Sequence, residues 1–140
     1  MSVLNTILGN LKTGLEGVTG VVEVYDYPKS FTNISSGNLP AIQMLVNGPE
    51  DILVEDADGK RLEAPVRVSG HVLSTRASVQ SDLMTLEAAV KDYFDGLTAS
   101  DLGTGCLSID WIGISREILE SRAEFILDVR ITYYAAKGAN

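Results

Sequence analysis

Toward its C-terminus the chain alternates. Phe125, Leu127, Val129, Ile131 and Tyr133 fall on one side, and Glu124, Ile126, Asp128, Arg130, Thr132 and Tyr134 on the other. A period of two marks a β-strand, and at about 3.3 Å per residue a strand over 123–135 spans roughly 40 Å. Four earlier stretches also read as strands. "VVEVYDY" (21–27) is rich in β-branched and aromatic residues. "LPAIQMLVNG" (39–48) has Pro40 near its start, where a missing N–H does least harm. "PVRVSGHVLST" (65–75) sets Val66, Val68 and Val72 opposite Arg67, Ser69 and His71. In "CLSIDWIGIS" (106–115), Leu107, Ile109 and Trp111 alternate.

Two stretches keep the helical period instead. Val3, Leu4, Ile7, Leu8, Leu11 and Leu15 form one apolar stripe, with Ser2 available as a cap. Gly9 and Gly14 weaken that helix, so it must lean on tertiary packing. Val79, Leu83, Leu86, Val90 and Phe94 form the second stripe. Here Ser78 is the expected cap, Glu87 and Lys91 pair across one turn, and Gly96 ends the helix. Between the elements lie a polar loop (28–38), an acidic excursion (49–64) whose Asp58-Gly59 suggests a hairpin tip, and a charged turn (116–122). A flexible tail is expected at 136–140. The order α-β-β-β-α-β-β predicts one α+β domain over 1–140. Its mixed, mostly antiparallel five-stranded sheet carries two amphipathic helices on one face and leaves the other open.

Charge narrows the partners. Eleven Lys and Arg against 19 Asp and Glu give a formal net charge of −8. Such a surface repels phosphate, which disfavours tight binding to nucleic acid or anionic membrane but suits a wall past which DNA slides without sticking. The single cysteine, Cys106, excludes an intramolecular disulfide and any multi-cysteine metal cage. No apolar run approaches a membrane span. Lys12 follows the first apolar stripe instead of preceding it, which is not the signal-peptide arrangement, so an intracellular protein made without export is expected.

Catalytic chemistry is hard to assemble from this sequence. His71 is the only histidine and Cys106 the only thiol, and they sit on different strands. A surface-facing strand histidine and a half-buried cysteine account for both. "VEDADGKRLEAP" resembles a calcium loop at Asp56, Asp58 and Gly59, but Val54 stands at its first position and Pro65 where a bidentate Glu is required. "GLEGVTG" follows a helix and precedes a strand, the reverse of a phosphate loop. No catalytic residue, cofactor site or metal site is assigned.

Surfaces carry the remaining signal. Ile126 and Tyr134 interrupt the polar side of the last strand, and such residues favour desolvated contact, although scattered exposed apolar residues are common. Ile126, Asp128, Arg130 and Tyr134 are therefore the candidate subunit-interface residues. Glu50, Asp51, Glu55, Asp56 and Asp58 form the candidate projecting loop.

The element order and several stretches resemble the tail terminator proteins of long-tailed bacteriophages. The likeness is carried by the helix Val3 to Leu15, "LPAIQMLVNG", "VRVSGHVLST", the helix beginning "SDLMTLEAAV", and "FILDVRITYY", whose Ile131-Thr132-Tyr133 is the most recognisable piece. The resemblance implies an α+β fold and a homo-oligomeric, typically hexameric, ring. That ring would cap the tail tube, end its polymerisation, and present a joining surface to head–tail connector or neck proteins. It implies a place at the head-proximal end of the virion tail, assembly in the host bacterial cytoplasm, and DNA only passing through the lumen. In such a ring the acidic excursion is expected to meet a neighbour or a stacked tube ring. Its length departs from the family pattern and also suits a neck or head-completion protein. A third reading, a small-molecule-binding or hydrolytic α+β domain, requires a pocket with convergent polar groups around His71 or Cys106.

Overall fold

The computed structural model describes residues 2–138, apart from the side chain of Phe31; residues 139 and 140, the end of the expected tail, lie outside the described residues. Helix α1 (Val3–Glu16) starts where Ser2 Oγ accepts the Asn5 N–H at 3.1 Å. Its Ile7, Leu11 and Leu15 are buried. Gly14 sits inside the helix because Tyr93 lies against it: a Cβ there would fall 1.9 Å from the Tyr93 hydroxyl. The glycine that looks like a helix weakness is the place where two helices approach.

Helix α2 (Val79–Gly96) buries the predicted stripe and Glu87 as well. Ser78 does not cap it through its side chain; the Ser78 and Val79 N–H groups instead donate to the Thr75 carbonyl.

The strands are β1 (Glu23–Tyr25), β2 (Ala41–Val46), β3 (Asp51–Glu55), β4 (Gly59–Leu73), β5 (Cys106–Ile118) and β6 (Arg122–Ala136). They form one six-stranded sheet in the order β1-β2-β4-β6-β5, with β3 paired to β4 as well. The sheet is one strand larger than expected because the acidic excursion is itself ordered. Its outgoing arm is β3, and its return arm runs on without a break into the strand expected at 65–75. β2 pairs with residues 66–71 of β4 and β3 with residues 60–63, so the two follow each other along one edge of the longer strand. β1 adds to β2 in parallel. The remaining pairs are antiparallel. β4 and β5 run the same way with β6 between them, which is the space the α2 crossover leaves.

Both helices join one core with Ile42, Met44, Val66, Val68, Phe125, Leu127, Val129 and Ile131, all from one side of the sheet. Gly70 faces that core beside Phe125, where a Cβ would come within 2.1 Å of the ring. β5 is longer than its sequence suggests and irregular. Bulges at Leu107 and Ile112 shift its register, so Leu107 is exposed and leaves the face shared by Ile109 and Trp111. The charged turn shrinks to residues 119–121.

Candidate functional site

The reverse face of the sheet is only partly open. Residues 28–40 cross it between β1 and β2, and Ile34 packs with Tyr25, Ala41 and Leu39 into a second small cluster. Gln43 clamps this strap: its Oε1 accepts the Lys29 N–H at 2.9 Å and its Nε2 donates to the Lys29 carbonyl at 2.5 Å. Nε2 also donates to His71 Nε2 at 3.1 Å, so that ring nitrogen is the acceptor and the proton sits on Nδ1. His71 is therefore buried, not surface-facing, because the strap covers the face onto which strand alternation turns it. Ser69 Oγ lies 3.2 Å from Nε2 and Glu124 Oε2 lies 3.3 Å from Nδ1. Burial lowers the His71 pKa to about 4, which keeps the ring neutral near pH 7.

Cys106 is buried rather than half-buried, and its thiol is pushed up by that burial. It stands on the helix-covered face near the Gly59 end of the β4–β6 ladder, whereas His71 is near the Leu73 end on the reverse face. The two form no dyad. A cleft of about 170 Å³ near Glu124 is lined by Ser30, Thr32, Glu117, Leu119 and Arg122. Among the described residues, no group of three or more His, Cys, Asp or Glu side chains is arranged to hold a metal ion. No helix among them is long and apolar enough to cross a membrane.

Ile126, Asp128, Arg130 and Tyr134 all fall on the reverse face and are half-buried. Ile126 lies between Ser69 and Ser115, Asp128 between Arg67 and Gly113, and Arg130 between Pro65 and Asp110. Arg130 Nε is 3.8 Å from Glu63 Oε1. The strip is thus a mixed polar ladder, and Ile126 has no apolar neighbour across either pair.

Tyr134 is set apart from these. It opposes Arg61, and partial burial together with the Asp56 and Asp58 carboxylates raises its hydroxyl pKa. The structure thus brings Tyr134 to the acidic tip, joining the two groups of candidate residues at one place. At that tip Asp56 Oδ1 accepts the Asp58 and Gly59 N–H groups at 2.8 and 2.9 Å, and the Asp56 N–H donates to the Gly59 carbonyl. The hairpin expected at Asp58-Gly59 is therefore present.

The five acids do not share one surface. The buried Tyr133 hydroxyl, pushed up to about 12 by desolvation and by Glu50, donates to Glu50 Oε1 at 3.4 Å. Asp51 opposes Glu63, and Glu55 pairs with Lys60 at 3.1 Å.

Pattern reading missed what lies between the acids: Ile52, Leu53 and Val54 are 57%, 48% and 51% exposed, in a row, on the edge strand β3. The signal was three aliphatics inside an acidic segment, which alternation discards because a bulge at Leu53 breaks it.

No protein-family model and no curated protein matches the chain. Among solved structures, a chain from the virion of a native gene transfer agent particle matches it over 91% of both chains, with a TM-score of 0.53 and 17% identity. The two share a fold. The match covers most of the α+β architecture.

Proposed function

We propose that this protein is a structural component of a phage-like virion and acts as a tail terminator. It forms a ring, hexameric by family resemblance, that caps the tail tube, stops its growth and offers a surface for head joining. The observation carrying this reading is the near-full-length fold likeness to a chain of a gene transfer agent virion. The resemblance of the local motifs and the aliphatic edge of β3 support it. With a net charge of −8, the ring would let DNA pass through its lumen without adhering.

The test is polymerisation of the cognate tube protein with and without this chain, followed by native mass spectrometry and negative-stain imaging. Short tubes ending in a ring of this protein are expected. Unchanged tube lengths with no bound ring would refute the terminator role. Binding to head connector proteins in place of tube ends would favour a neck or head-completion protein.

A further inference from the structure

Among the described residues, no strand pairs with the outer edge of β3 or with that of β5, and the two lie on opposite sides of the sheet. On one side β3 pairs only through its β4 edge, and beyond Gln43 the outer edge of β2 has no strand beside it. On the other, β5 pairs only with β6. Exposed edges are ordinarily blunted by charge, proline or cover. The centre of β3 has none of these, and it presents Ile52, Leu53 and Val54 to solvent. β5 presents Leu107 and Ile112, 44% and 59% exposed, at its bulges. A row of free N–H and C=O groups beside aliphatic side chains is matched best by another strand.

We propose that copies of this chain join by strand addition, β3 of one against β5 of the next. This rests on the ring reading above and says how the ring closes. Direction agrees: β3 runs against β4, whereas β5 runs with it, so a neighbour laid down in the same orientation brings the two edges together antiparallel.

Charge disfavours the symmetric pairing. Residues 50–58 hold Glu50, Asp51, Glu55, Asp56 and Asp58 and no basic residue, so β3 against β3 would set like charges across from each other. β5 carries only the acids Asp110 and Glu117 over its 13 residues, with Arg116 held by Glu87, so its edge repels the acids of β3 less than a second β3 would. Because the two edges lie on opposite sides of one sheet, the contact is head-to-tail and leaves one free edge at each end of a row of subunits until a ring closes. One short strand pair is a small interface, and holding every subunit twice on closure is what makes the assembly persist.

The experiment places Leu53→Cys and Ile112→Cys singly and together, and treats each variant with a short bis-maleimide. The parental chain, whose Cys106 is buried, is the control. The double variant should give a ladder of covalent multimers, a mixture of the two single variants should give covalent dimers, and each single variant alone should give neither. Circular dichroism checks that all are folded. Dimers from Leu53→Cys alone would overturn the pairing in favour of a symmetric one. A multimer seen by native mass spectrometry with no cross-link in any variant would overturn the edge pairing and leave the ring standing. A monomer at every concentration, uncross-linked and unable to cap tubes, would overturn both.

Discussion

β4 and β6 pass through two different environments. In the body, residues 66–71 of β4 and 124–129 of β6 are flanked by β2 and β5, with helices on one face and the strap of residues 28–40 over part of the other. In the finger, residues 60–63 of β4 run between β3 and residues 132–135 of β6, and the aliphatic side chains of β3 stand in solvent. The alternation of the two strands is the same in both places. What differs is the neighbours, so the body spends its apolar residues on folding while the finger holds some in reserve. An amphipathic strand therefore says which face is buried locally, and only its surroundings say whether a partner is still missing.

The largest effect should come from the centre of the body. Phe125→Ala empties a fully buried site beside Gly70 and should lower stability by about 4 kcal/mol in urea denaturation. A loss under about 1 kcal/mol would mean that the body is as loosely packed as the finger.

Acid should reach the body next. With its folded pKa lowered by burial to about 4 from the ordinary histidine value of 6.5, His71 stays neutral in the fold at pH values where the unfolded chain binds the proton. Stability is then full above about pH 6.5, falls between 6.5 and 4, and levels off below 4, where the loss approaches about 3 kcal/mol. Denaturation midpoints between pH 7 and 4 should show that slope in the parental chain and a flatter one in His71→Asn.

A smaller loss is expected where β5 meets α2. The buried Glu87 accepts from Arg116 at 2.5 and 2.8 Å and from Lys91 at 3.2 Å, and the Arg116 guanidinium is the main reason its carboxyl titrates below the usual range. Arg116→Ala leaves Lys91 as its partner and should cost about 2 kcal/mol by thermal or urea unfolding. In the finger, Leu53→Thr should change unfolding free energy by less than about 0.5 kcal/mol. The same substitution should sharply reduce multimer formation, and only that dissociation of folding from assembly keeps body and finger distinct.

Both helices and β6 were legible because each keeps one period over its whole length. Alternation makes β5 too short because the bulges at Leu107 and Ile112 break it twice, and the charged residues after Ser115 then look like a turn. β3 was hidden for the same reason, since Ile52, Leu53 and Val54 do not alternate. The burial of His71 was out of reach of any strand pattern. Alternation turned it correctly away from Val72, but the strap covering it comes from residues distant in sequence. Of the candidate surface residues, Tyr134 and the tip acids converge, whereas Ile126 sits between serines.

One consequence follows from β4 and β6 each running 15 residues in register without a bulge. That ladder is roughly 50 Å long and crosses the whole molecule, from the acidic tip to the strap end. It contains no hinge, so the finger is a stiff lever built into the body. A tilt imposed on the tip by whatever docks there would be delivered to the far end as rotation of the entire subunit.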